Sequence, residues 1–226
     1  MGKHIRQRQH DAEVVVRQGA YLPHWTGSAA IYAVTFRLND SLPQTILDAW
    51  LDERRSLVST AIQMGRLLSI HEEKRLHELH SRRIEKYLDA GHGECRLRDP
   101  AIAKLVADAV RHFEGQRYSL HAWCVMPNHV HAIVEPLIGH ELHNILHSWK
   151  SFTAKTANRV LKRNGTFWQA EYYDHLIRNE EDYAHALCYL LENPTLAGLR
   201  NWPWVGTGAK IASVYRGVVP PATKSE

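Results

Sequence analysis

Two histidines two residues apart, His129 and His131, are the first place where this chain could do chemistry. They lie in HVHAIVEP, 129–136, an apolar run of strand character. On an extended strand alternate side chains share a face, so both imidazoles point one way and Val130 the other. Two neutral imidazoles held that close suit a divalent cation. A pair of polar residues on a solvated strand face produces the same string, and a chain with 16 histidines supplies such pairs readily. A tyrosine near the other end of the chain is the second feature. On the helix expected from about 180, with 3.6 residues per turn, Tyr183, Leu187, Leu190 and Leu191 form an apolar stripe, while Asp182, His185, Tyr189 and Asn193 line up on the opposite side. Tyr189 is therefore expected off the core stripe with an amide oxygen four residues on. A surface tyrosine that merely snorkels is the plainer alternative. Asn179 followed by Asp182 is a capping pair that sets the helix start, and Pro194 is expected to end it.

The third feature is a basic helix over about 141–162, with Leu142, Ile145, Trp149, Phe152 and Val160 as its expected apolar stripe. Between 148 and 163 it carries Lys150, Lys155, Arg159, Lys162 and Arg163 and no acid. Lys155, Arg159 and Lys162 fall on one flank at i, i+4, i+7. Uncompensated like charges repel unless a polyanion lies near, so these residues read as a track for a phosphate backbone, with a solvated basic face as the alternative. Trp168, Tyr172 and Tyr173 follow directly and are placed either to stack on bases or to fill the core. The string HELH occurs twice, at His77–His80 and His140–His143, but a zinc-protease motif needs histidines at i, i+4 and a placed third ligand, which neither copy has.

These residues need elements to hold them. A strand is expected within AAIYAVTFRL, 29–38, and Pro100 opens a helix with apolar residues at 102, 105, 106, 109, 110 and 113. RYSLHAWCV, 117–125, and 129–136 read as a hairpin turning at Met126-Pro127-Asn128. A short strand near 172–178 and the Tyr189 helix follow the basic helix. The order strand, helix, strand, strand, helix, strand is the ferredoxin-like split βαβ arrangement of an α+β fold, here with one extra helix. From Pro43 to about Ala90 the chain reads as two helices, a helical insertion at about 41–95. The expected layout is a basic N-terminal arm over 1–28, one domain over 29–205 and a tail over 206–226. At 44% hydrophobic and 23% charged residues the composition is that of an ordinary globular protein, which excludes disorder and collagen-like repeats. A net charge of +4 is mild support for an acidic partner. Three widely separated cysteines make neither a disulfide framework nor a CxxC site, and no apolar run reaches membrane length, so the expected setting is the reducing cytoplasm with no membrane partner. No GxxxxGK[ST] string offers a nucleotide site.

RYSLHAWCVMPNHVHAIVEP, then WKSFTAKTANRVLKRNGTFWQAEYYDHLIR, then YLLENPTLAGL resemble, in that order, the Y1, IS200-like transposase group of HUH single-strand endonucleases, and within it the REP-associated tyrosine transposases. The likeness runs from about Tyr32 to Trp204, and RLNDSLP and LDAGHGECRLRDP are similar to some branches. The ending WPWVGTG departs from the family's pattern. The resemblance implies a ferredoxin-like HUH core, an antiparallel sheet with helices on one face, and a C-terminal catalytic helix. It implies His129 and His131 as the HUH histidines, Asn193 as the third ligand of a Mg²⁺ or Mn²⁺ ion, and Tyr189 as the nucleophile. His185, one turn before Tyr189, is the nearest residue that could assist it, with a plain surface histidine as the other reading. The implied activity is site-specific nicking and joining of single-stranded DNA at short hairpins through a 5′-phosphotyrosine, in a cytoplasmic, nucleoid-associated protein of open oligomeric state. A hairpin-binding protein that has lost cleavage and a metal-dependent phosphodiesterase using water are the alternatives.

Overall fold

In the computed structural model of the protein, residues 6–9, 12–18, 23–26, 30–66, 69, 71–72, 75, 84, 86–209 and 211 are described. The core is a five-stranded sheet built from β4 (Tyr32–Arg37), β5 (Tyr118–Val125), β6 (His129–Pro136), β7 (Tyr173–Leu176) and β8 (Val205–Thr207). Its order is β7-β4-β6-β5-β8, and every neighbouring pair is antiparallel. Helix α3 (Pro100–Arg111) joins β4 to β5 while β6 lies between them, which is the split βαβ unit expected from the element order. Asp99 caps α3 by accepting from the Ala101 amide at 2.8 Å, and Pro100 follows at the one position where a missing N–H costs nothing.

Helices α3 and α4 (Leu142–Val160) cover one face of the sheet. There Ile102, Val106 and Val110 meet Leu142, Ile145, Leu146 and Trp149 over Tyr32, Val34, Phe36, Val130, Ala132 and Val134. Helix α5 (Glu180–Leu196) lies on the other face, where Leu187 and Leu190 pack on Ala122, Cys124, Met126 and Ile133. The alternation along β6 thus sends Val130, Ala132 and Val134 to one layer and His129, His131 and Ile133 to the other.

The structure corrects several expectations. Phe152 and Val160 are more than half exposed, and the buried line of α4 continues through Thr153 and Ala157 instead. Thr153 is tolerated there because its hydroxyl donates to the Trp149 carbonyl at 2.6 Å and accepts from the Trp168 indole at 2.9 Å. Pro194 does not end α5, which runs to Leu196. A proline in the last turn forfeits one backbone bond only, and the helix stops two residues later. There Gly198, at φ +73°, lets its own amide reach Thr195 and that of Leu199 reach Pro194. Strand β8, inside WPWVGTG, was not expected. Gly208 follows it so closely that a Cβ would sit 1.6 Å from the Leu120 carbonyl oxygen.

Residues expected as an N-terminal arm hold three short strands, β1 (Arg6–Gln9), β2 (Ala12–Gln18) and β3 (Pro23–Thr26), in a separate antiparallel sheet. In the insertion, α1 (Gln44–Gln63) and the short α2 (Lys86–Asp89) flank a small cluster of Leu42, Ile84 and Leu88. Most of the second helix expected there, and of the tail 206–226, lies outside the described residues. Among the described residues no helix is long and apolar enough to cross a membrane.

Candidate metal and nucleophile site

The two histidines meet on β6 beneath α5. His129 is fully buried and His131 is 5% exposed; their ring centroids are 4.6 Å apart and their Nε2 atoms 2.9 Å apart. The tautomer of His129 follows from its neighbour. Asn128 donates its amide Nδ2 to the His92 carbonyl at 2.9 Å, which turns its Oδ1 toward His129 Nδ1 at 2.7 Å. That oxygen only accepts, so Nδ1 carries the proton and Nε2 presents a bare lone pair toward His131. On the other ring, Thr35 Oγ1 lies 2.8 Å from His131 Nδ1. If the hydroxyl accepts that proton, both Nε2 lone pairs converge on one point; if it donates, the rings share an N–H···N bond.

Electrostatics keep both rings neutral. Burial, then the neighbouring His131, then the Arg37 guanidinium hold His129 well below its ordinary range, and burial brings His131 down to about 4. Neutral imidazoles are the ligand form, so no proton need be displaced for a cation to bind at neutral pH.

Helix α5 brings Tyr189 over this pair. The Tyr189 ring stands edge-on to His131 with centroids 5.8 Å apart. One turn on, Asn193 is 1% exposed, and neither its amide oxygen nor its nitrogen has a hydrogen-bond partner among the described residues. Tyr189 and Asn193 occupy a flank of the buried face of α5 rather than the side opposite the apolar stripe, because the helix sits with that flank down on the sheet. The N-terminal half of α5 is fastened by His175 Nε2, 2.9 Å from both Asp182 oxygens, and by the Tyr183 hydroxyl, 2.9 Å from His121 Nδ1. Asn179 caps the helix by accepting from the Asp182 amide, as the sequence pattern implied. His185 is exposed on the same helix.

The fit to an ion can be tested on these atoms. Two ligands at neighbouring corners of an octahedron with bonds of about 2.1 Å lie about 3.0 Å apart, against about 3.3 Å for tetrahedral zinc, and the Nε2 atoms are 2.9 Å apart. A buried amide with no partner costs about 1–3 kcal/mol unless it gains one, and its oxygen is a hard ligand. Among the described residues no group of three His, Cys, Asp or Glu side chains is placed to hold a metal. Two imidazoles at this spacing fit neighbouring corners of an octahedral ion whose other positions are filled by oxygens.

The basic residues lie elsewhere. Helix α4 covers the face of the sheet opposite the histidines. Lys155, Arg159 and Lys162 are exposed, and Arg163 is half-buried. Lys150 turns inward, donating to the Ala170 carbonyl at 2.6 Å beside the Tyr172 ring, and burial brings its amine down to about 8. Trp168, Tyr172 and Tyr173 are all buried in the core. Sequence reasoning passed over Thr35 and Asn128. Asn128 adjoins the histidine string, and Thr35 would follow from pairing the first strand with the third, since the register sets Thr35 opposite His131 and Arg37 opposite His129.

Comparison with known proteins relates part of the chain to a described family. Residues 99–189 match the family described as Transposase IS200 like, a segment that begins at the α3 cap and ends at Tyr189. A REP-associated tyrosine transposase of Escherichia coli (strain K12) is 28% identical over 91 residues, covering 38% of this chain and 53% of the relative. The chain thus spans about half the length of that curated relative. A solved structure of a REP-associated tyrosine transposase bound to a REP hairpin is 16% identical, with a TM-score of 0.49 over 93% of this chain and 91% of that one. Over residues 99–189 the chain is thus similar to the IS200-like transposase family, and part of it is similar to a REP-associated tyrosine transposase.

Proposed function

We propose that this protein is a metal-dependent, site-specific single-strand DNA endonuclease and strand transferase that acts at short DNA hairpins through a 5′-phosphotyrosine. The observation that carries this reading is the Tyr189 ring, edge-on to His131 with the unpartnered Asn193 amide one turn beyond. The tyrosine ring and the imidazole pair are in contact, and the buried Asn193 amide on the same helix supports the reading.

His129, His131 and Asn193 would hold Mg²⁺ or Mn²⁺, which when bound supplies Lewis-acid stabilisation of charge on the non-bridging oxygens of a phosphate. Asn128 and Thr35 orient the rings. Tyr189 Oη attacks phosphorus, the bond from phosphorus to the 3′ oxygen breaks, and that oxygen leaves and takes up a proton as a 3′-hydroxyl. A phenol of pKa about 10 is roughly one part in a thousand ionised at pH 7, so activating it is worth up to about 4 kcal/mol. The phosphotyrosine conserves the bond energy for rejoining, so no nucleotide is consumed, in keeping with a sequence that has no P-loop string. Lys155, Arg159 and Lys162 would follow the DNA backbone on the far face of the sheet, with Lys150 and Arg163 contributing less because they are partly buried.

The test begins by sequencing the DNA retained by a Tyr189→Phe protein, which identifies the substrate. With that oligonucleotide and Mn²⁺, wild type should form an adduct that survives denaturation and Tyr189→Phe should form none. Binding with no adduct from wild type would favour a hairpin-binding protein that has lost cleavage. Cleavage with no adduct at any time would favour a phosphodiesterase using water.

A further inference from the structure

Arg37 is the one cation of the sheet that this scheme leaves unused, and it is 0% exposed. Its place follows from strand parity. On β4, Thr35 reaches His131 with its hydroxyl, so Arg37, two residues on, leaves the strand on the same face, and the register sets it directly opposite His129. Directly opposed residues on neighbouring antiparallel strands have their Cβ atoms about 5 Å apart. The Arg37 side chain therefore leaves its strand beside the imidazole pair.

Two properties make this more than a packing choice. An arginine keeps its charge even when buried, where a lysine can lose its proton. Of the four side chains that β4 and β6 direct to this spot, Thr35, Arg37, His129 and His131, Arg37 alone carries a permanent charge. A planar fork of N–H donors is also the side chain best matched to two oxygens of one phosphate. Arg37 and His129 are equally covered, so whatever movement of α5 lets a phosphate reach His129 brings it beside Arg37 as well.

We propose that Arg37 is a catalytic residue of the strand-transfer reaction, gripping the non-bridging oxygen of the scissile phosphate that does not face the histidine pair. This rests on the tyrosine-transposase reading above. It assigns charge stabilisation in the five-coordinate transition state to two sides of the phosphate, one served by the histidine site and one by the guanidinium.

The test uses the full chain and the hairpin oligonucleotide recovered with Tyr189→Phe, synthesised in three forms: the natural phosphodiester at the cleaved position and each diastereomer of a methylphosphonate there. A methylphosphonate replaces one charged oxygen by a methyl group and so removes the need for a cation on that side only. Arg37→Ala should form adduct about 100-fold more slowly than wild type on the natural DNA. On one diastereomer it should come within a few-fold of wild type, and on the other it should stay slow. Mn²⁺ affinity, measured by calorimetry, should not fall, since a neighbouring positive charge has been removed, which separates loss of the cation from collapse of the histidine site. Should Arg37→Ala fail to fold, Arg37→Lys keeps the charge and loses the fork, and a smaller defect relieved on the same diastereomer is expected. Equal loss on all three DNAs, or no loss on the natural one, would overturn the assignment of Arg37 while leaving the tyrosine reading intact. No adduct from wild type on DNA that it binds would overturn both.

Discussion

Acidification should destabilise this protein through His131. The imidazole is 5% exposed and burial brings it down to about 4, from 6.5 for a solvated histidine. The unfolded chain therefore takes up a proton near pH 6.5 that the folded chain refuses until about pH 4. Protons held only by the unfolded state draw the equilibrium toward it, so stability from this group is whole above pH 6.5 and falls as the pH drops through that window. At about 1.4 kcal/mol per pH unit the loss reaches about 3 kcal/mol at pH 4, a large share of the roughly 5–15 kcal/mol of a typical domain. The assay is urea denaturation followed by tryptophan fluorescence, from pH 7.5 to 4, with chelator present. Wild type is compared with His131→Gln, whose amide does not titrate. His129, held low chiefly by burial, contributes in the same direction to both proteins and largely cancels. The stability gap between the two should narrow by about 3 kcal/mol across the range. Parallel curves would mean that His131 takes its proton in the folded state as easily as in water, and the account of a neutral, ligand-ready pair would fail.

Three further outcomes are expected. His129→Ala or His131→Ala should abolish tight Mn²⁺ binding in a titration, and Asn193→Ala should weaken it less, because a neutral amide oxygen is the poorer ligand; unchanged affinity in both histidine variants would remove the site. Asn128→Ala frees the proton on His129 Nδ1 to move to Nε2, and should cost 10- to 100-fold in Mn²⁺ affinity with native circular dichroism. Replacing Lys155, Arg159 and Lys162 together by alanine should lower the slope of log K against log salt by about 2, at roughly 0.7 per single-strand phosphate, whatever the base sequence. A native fold with the wild-type slope would place the DNA away from α4.

The sequence carried the layout of the sheet because local signals and topology rules agree there. Apolar runs on either side of Met126-Pro127-Asn128 can only form a hairpin, and a helix opened by Pro100 between two strands requires a crossover. It misled where burial depends on a neighbour rather than on period. Phe152 falls on the apolar stripe by its spacing yet is 55% exposed, while Thr153 is buried because Trp168 satisfies its hydroxyl. Strand β8 carries no alternating pattern; it exists because the free edge of β5 accepts Val205–Thr207, and Gly206 and Gly208 allow the approach.

The same division runs through the candidate site. The sequence by itself determined that His129 and His131 share a face, since strand parity is a property of the backbone alone. It also placed Tyr189 and Asn193 one turn apart on one line of a helix whose start Asn179 marks. Only the tertiary structure decided that Tyr189 faces the histidines, because a helix can rest on a sheet along any of several flanks and the contacts of Leu187 and Leu190 select one. It also decided what surrounds the pair. Thr35 and Arg37 are more than 90 residues from the histidines in the chain, and antiparallel pairing of β4 with β6 sets them alongside. Proximity of that kind is made by strand register, which no local pattern encodes.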